Sequence, residues 1–104
     1  MAKQEGQTGS STLEKTKKET KEPERYQVIL HNDDFTTMEF VIEILVKIFG
    51  KDVVAATKIM RDVHKKGSGV AAIYSYDIAR TKVQEVHSSA KANGFPLKCT
   101  IEKA

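Results

Sequence analysis

A single cysteine, Cys99, stands among the 104 residues, so no disulfide can form within the chain. Such sparse cysteine fits a reducing compartment. No apolar run approaches the roughly 20 residues of a membrane-spanning helix. The N-terminal stretch also lacks the apolar core of a secretory signal, so a cytoplasmic location is expected. Metal ligation is not indicated: His31, His64, His87 and Cys99 lack zinc-type spacing, and Asp33-Asp34 lacks the length and glycine of a calcium loop. No cofactor is expected. No serine occupies a nucleophile-elbow setting, Gly67-Ser68-Gly69 is too short to cradle phosphate, and there is no internal repeat. A nucleic-acid binder usually carries a dense basic stripe. Here Lys65-Lys66 is the only basic pair after residue 25, at a helix end where cations are favoured anyway.

Large aliphatic residues are also nearly absent from Met1 to Glu24, where Leu13 stands alone beside Met1. Lys, Glu, Thr, Ser, Gln and Gly make up most of that stretch. It cannot bury enough apolar surface to offset the entropy of ordering it. Residues 1–24 are therefore expected to be a disordered extension. The net charge of +3 is spread evenly, since residues 1–25 hold six basic and five acidic side chains. Residues 25–104 are enough for one small domain.

Within that domain, Tyr26–His31 reads as a strand. Thr36 is a good N-cap, Glu39 completes a capping box with it, and Phe35 and Phe40 stand at hydrophobic-staple positions. Met38, Val41, Ile42, Leu45, Ile48 and Phe49 follow a helical period, which Gly50 stops. Asp52 caps a second helix with Val53, Ala56, Ile59, Met60 and Val63 inward. Gly67 ends it, and Ser68-Gly69 continues a turn. Val70–Tyr74 is a short strand. Ser75 caps a third helix with Ile78, Ala79, Val83, Val86 and Ala90 inward, stopped by Asn93-Gly94 and Pro96. Leu97–Glu102 alternates as a half-buried strand. The order β-α-α-β-α-β predicts an α+β fold, a small two-layer sandwich of three helices on a three-stranded sheet.

The stretch Asn32-Asp33-Asp34 lies between apolar strand and apolar helix. Asn and Asp favour turns, but with Thr36 as the cap, two adjacent carboxylates add repulsion that a bound cation would relieve. An ammonium could donate to Asn32 and the aspartates. Neutral His64 could accept from an amine through one ring nitrogen. Met60, one turn earlier, and Met38 could shape an adaptable apolar pocket, although methionines at helical spacing usually belong to a core.

The run Val28-Ile29-Leu30-His31-Asn32-Asp33-Asp34-Phe35-Thr36-Thr37-Met38-Glu39-Phe40-Val41 closely resembles the first motif of the ClpS family, adaptors of the bacterial Clp protease. Ala56-Thr57, Met60, Val63-His64, Tyr74, Thr81-Lys82-Val83, Pro96-Leu97, Cys99-Thr100 and Glu102-Lys103-Ala104 follow in the same order. The resemblance implies a small α/β sandwich that is not an enzyme. It would recognise N-degrons, peptides with a free α-amino group and N-terminal Phe, Tyr, Trp or Leu. Delivery would be to the AAA+ unfoldase ClpA and its ClpP peptidase, with the extension taking part.

By the same resemblance, Asn32, Asp34 and His64 would bind the α-amino group, and Asp33 and Thr36 the first peptide units. Met38, Val41, Ile42, Met60, Val63 and Leu97 would line the side-chain pocket, with Met38 rejecting Val and Ile. Asp77 and Lys82 would meet the unfoldase. The expected partners are thus N-degrons and a ClpA-type unfoldase, with no nucleic acid, no membrane and the chain a monomer. Thr37 departs from the family's usual proline, and Phe35 from its frequent Tyr. Two other readings compete: a small hydrolase using Asp33, Asp34 and His64, and an RNA- or ribosome-associated domain, suggested by a pI near 9.0.

Overall fold

The computed structural model describes residues 23–104. Of the expected extension, only Pro23 and Glu24 fall within the described residues. Glu24 is held: its carboxylate accepts from Lys103 Nζ at 2.8 Å and from the Tyr26 hydroxyl at 3.1 Å.

The elements are β1 (Tyr26–His31), α1 (Met38–Lys47), α2 (Val53–Lys66), β2 (Ser68–Tyr74), α3 (Tyr76–Ala92) and β3 (Lys98–Lys103). The predicted order and α+β class are observed. The sheet is antiparallel throughout, in the order β2-β1-β3. β1 is central because its alternation is the most apolar: Val28 and Leu30 are fully buried, and even Ile29 on the other face is only 8% exposed. Paired residues share a face, so Val28, Ala72 and Ile101 point together toward the helices, as do Leu30 and Cys99. The pairing shifts between Val28 and Ile29, leaving Ala71 as an extra residue in β2. Such a bulge bends the strand and breaks strict alternation.

The core gathers Val28, Leu30, Phe40, Val41, Ile44, Leu45, Ala56, Met60, Val63, Ala79, Val86 and Ala90 around this inner face. Phe40 packs on Phe95 with ring centroids 4.8 Å apart. Burying side chains such as Leu45 or Ile44 contributes about 1.5–3 kcal/mol each. Two predicted inward positions point out instead. Val53 is 63% exposed and Ile78 49% exposed. Both sit in the first turn of their helix, where the apolar face has not yet met a neighbour.

Boundaries also differ at instructive places. Thr37, not Thr36, caps α1: its Oγ1 accepts from Phe40 N–H at 3.1 Å. The capping box with Glu39 and the staple through Phe35 are therefore not formed, and Phe35 is 74% exposed. Asp52 caps α2 as expected, accepting from Ala55 N–H at 2.8 Å. Ser75 is the N-cap residue of α3 but makes no side-chain capping bond. Ser68-Gly69 belongs to β2 rather than to a turn. Gly67 alone makes the reversal, with φ +91°. Gly69 is needed for contact: a Cβ there would stand 3.0 Å from Val63 Cγ2. Its absence lets β2 press against α2.

Candidate functional site

The loop from Asn32 to Thr37 leaves the end of β1 beside the C-terminal turn of α2. One backbone bond fixes that approach: Asn32 N–H donates to the Gly67 carbonyl at 2.9 Å. The left-handed Gly67 thus serves twice, stopping α2 and turning its carbonyl toward the loop. His64, in the last turn of α2, is thereby brought to the same cleft as Asn32 and Asp34.

Inside the loop, Asp33 is fully engaged. Its Oδ1 accepts from the backbone N–H groups of Phe35 (2.8 Å) and Thr36 (2.7 Å). Its Oδ2 accepts from the Thr36 hydroxyl at 2.7 Å. Partial burial acts to raise the Asp33 carboxyl, but these donors outweigh it and hold it below the usual carboxylate range. Thr36, free of capping duty, closes this turn, and Thr37 caps the helix. Asp34 differs: among the described residues no hydrogen-bond or ion-pair partner occupies it, and it is exposed. Adjacent in sequence, the two aspartates do different work.

The cleft has a volume of about 550 Å³, within the roughly 300–1,000 Å³ common for ligand sites. Its lining comprises Asn32, Asp33, Asp34, Phe35, Thr36, Thr37, Met38, Glu39, Val41, Met60, Val63 and His64. All five polar residues expected at the amine and peptide end are here. Four of the six expected apolar residues are too. Ile42 and Leu97 are not: Ile42 packs against the core and Leu97, 4% exposed, is part of it. Val41, Met60 and Val63 are core residues that also show an edge to the cleft, whereas Met38 is 46% exposed at its mouth. Phe35, Thr37 and Glu39 line it as well, although sequence reasoning assigned the first and last to helix capping. A one-residue shift of the cap, ambiguous in Thr36-Thr37, would have revealed them.

Chemically, the cleft sets hydrogen-bond acceptors beside apolar side chains and contains no lysine or arginine. Cys99 offers no nucleophile: it is 3% exposed, and burial pushes its thiol up to about 12. No group of three potential metal ligands exists among the described residues. Among them too, no helix is long and apolar enough to cross a membrane.

Asp77 and Lys82 lie on α3, away from the cleft. Asp77 is exposed in the first turn. Lys82 is engaged internally: its Nζ donates to the Ile48 carbonyl at 2.8 Å, at the end of α1, and sits 5.9 Å from the centre of the Tyr74 ring. A cation at a helix C-terminus is favourable by roughly 0.3–1 kcal/mol.

The model of the family "ATP-dependent Clp protease adaptor protein ClpS" matches residues 21–100. The chain belongs to the ClpS family. Relatives described as ATP-dependent Clp protease adapter protein ClpS include that of Desulfatibacillum aliphaticivorans, 51% identical over 94 residues, covering 90% of this chain and 89% of the relative. That of Clostridium acetobutylicum is 56% identical over 87 residues, covering 84% and 86%. Among solved structures, Agrobacterium tumefaciens ClpS2 bound to L-phenylalaninamide matches with TM-score 0.77 and 37% identity, over 80% of this chain and 100% of that one. ClpS proteins are adaptors, not enzymes, so the hydrolase reading of Asp33, Asp34 and His64 is set aside.

Proposed function

We propose that this adaptor binds N-degrons, and that it hands them to a ClpA-type unfoldase for degradation by the ClpP peptidase. The observation that carries the reading is the mixed lining of one cleft. Asn32, Asp34 and His64, without side-chain partners among the described residues, line it together with Met38, Val41, Met60 and Val63. A protonated α-amine needs acceptors, and a large first side chain needs apolar surface. Phenylalaninamide, the ligand of the related ClpS2, carries a free α-amine and an apolar ring, joined at a carbon that also bears a carboxamide.

In this reading Asn32, Asp34 and His64 accept from the ammonium. Thr36 and the loop backbone meet the first peptide unit, and Asp33 holds that loop in shape. Phe, Tyr, Trp and Leu fill the apolar end, and Met38 bars side chains branched at Cβ. An apolar pocket separates neighbours by only about 1–3 kcal/mol per methylene, so exclusion of Val and Ile calls for such a steric element. Acetylation of the amine removes the charge and leaves acceptors unpaired, a heavier penalty. The unfoldase would meet the exposed first turn of α3 at Asp77, with Lys82 nearby. The adaptor would act as a monomer in the cytoplasm.

Fluorescence anisotropy with peptides beginning Phe, Leu, Val and acetyl-Phe tests the binding. Tight binding of Phe and Leu alone is expected. Equal binding of Phe and acetyl-Phe would overturn the amine role of the cleft.

A further inference from the structure

We infer that Gly69, which stands behind the cleft rather than in its lining, sets how large a first side chain the cleft admits. It does so by letting Val63 sit back against β2. The inference rests on the N-degron reading of the cleft and names a specificity-determining position for that same site.

Gly69 is an unfavourable residue where it stands. It lies inside β2, and a glycine within a strand packs nothing and loses more freedom on folding than any other residue. Unlike Gly50, Gly67 and Gly94, it does not have a positive φ, so no backbone turn requires it. The register supplies another reason. Gly69 pairs with Leu30, whose side chain is fully buried on the inner face of the sheet. A side chain at position 69 would share that face and point at the helices. A Cβ there would meet Val63 Cγ2 at 3.0 Å. It would stand 3.5 Å from the Val63 backbone nitrogen and 3.6 Å from the Ile59 carbonyl oxygen, both ordinary contacts. The conflict is therefore with the methyl of Val63, not with the helix that carries it.

Val63 links this contact to the cleft. It is 3% exposed, and it lines the cleft with Val41 and Met60. A valine within a helix holds essentially one χ1 rotamer, so its methyl cannot swing clear of an added Cβ. The side chain must instead give way by a few tenths of an ångström. Its other surroundings are packed core, and the free space beside it is the cleft. Gly69 thus keeps the Val63 wall withdrawn. Pushing that wall forward would overpack the site, at a cost that grows with the volume to be fitted. Trp should suffer most, Phe less and Leu least.

The test is anisotropy with peptides beginning Trp, Phe and Leu, plus acetyl-Phe. Wild type, Gly69→Ala and the double variant Gly69→Ala/Val63→Ala are compared, with chemical denaturation of each. Gly69→Ala should fold and bind the Trp peptide about tenfold more weakly, the lower end of what one methylene decides in an apolar pocket. Its affinity for the Leu peptide should change less than about twofold. The double variant lacks the methyl that the new Cβ displaces, and should regain at least the wild-type Trp-to-Leu ratio. A merely structural role for Gly69 would lower all three affinities alike, or stability alone. Uniform loss, an unchanged Trp-to-Leu ratio, a ratio still depressed in the double variant, or a Gly69→Ala chain that does not fold overturns the inference. Each of those leaves amine recognition intact. Acetyl-Phe binding wild type as well as Phe does would instead overturn the underlying reading, and this inference with it.

Discussion

The N–H of Asn32 donates to the carbonyl of Gly67, 2.9 Å away, and this bond joins the two walls of the cleft. One wall is the loop after β1 and the other is the last turn of α2. Gly67 can offer that carbonyl because its φ of +91° suits a residue without a side chain. Gly67→Ala should therefore cost about 1–2 kcal/mol of stability. It should also weaken peptide binding by moving His64 relative to Asn32. Chemical denaturation and anisotropy on the same sample check both; a variant with wild-type values for each would show that the walls are held by packing alone.

Asp33 and Asp34 should separate cleanly on substitution. Asp34→Ala removes an exposed carboxylate that nothing among the described residues occupies. Its stability should stay within about 0.5 kcal/mol of wild type, while peptide binding collapses. Asp33→Ala deletes three hydrogen bonds of the loop and should cost about 1–2 kcal/mol. Matching stability losses in the two variants would refute this division of roles.

The Asp33 carboxyl gives a pH signature. Its folded pKa lies below its unfolded value because three donors favour the ionised form over the opposing effect of burial. Its contribution to stability is then fully present above the unfolded carboxylate pKa, near ~3.9. It is lost as pH falls through the lower, folded value. Stability curves of wild type and Asp33→Asn should converge in acid and diverge toward neutrality. Parallel curves from pH 2 to 7 would remove Asp33 as their cause.

Thr37→Ala should destabilise α1 by about 1 kcal/mol through loss of the cap to Phe40 N–H. Thr36→Ala should act on the loop and on binding instead. Thermal melts that rank the two threonines the other way would restore Thr36 as the cap.

Met38→Ala should admit peptides beginning with Val or Ile, while wild type rejects them. Met38 is half exposed at the mouth of the cleft, so the substitution leaves the core packed. Persisting rejection by the variant would assign the gate to another residue.

Much of this was legible in the chain. Element order followed from apolar periodicity and from punctuation at Gly50, Asp52, Gly67 and Asn93-Gly94, because those residues act locally. The pairing of Asn32 and Asp34 with His64 came through the family resemblance, since no local rule brings residues 30 positions apart together. What escaped was settled by competition between neighbours. Thr36 and Thr37 are equal caps in isolation, and Asp33 decides between them by capturing Thr36. Ile42 and Leu97 lie on apolar faces as expected, but the core claims them. Lys82 reads as a surface cation until α3 is laid beside the end of α1, where the Ile48 carbonyl takes its ammonium.

Calorimetric titration of free and acetylated Phe-peptides into wild type and Asp34→Ala tests the central claim most directly. The account predicts that wild type binds the free amine far more tightly than the acetylated one, and that Asp34→Ala erases most of that difference. Equal binding of both peptides to wild type, or an undiminished preference in the variant, would contradict it.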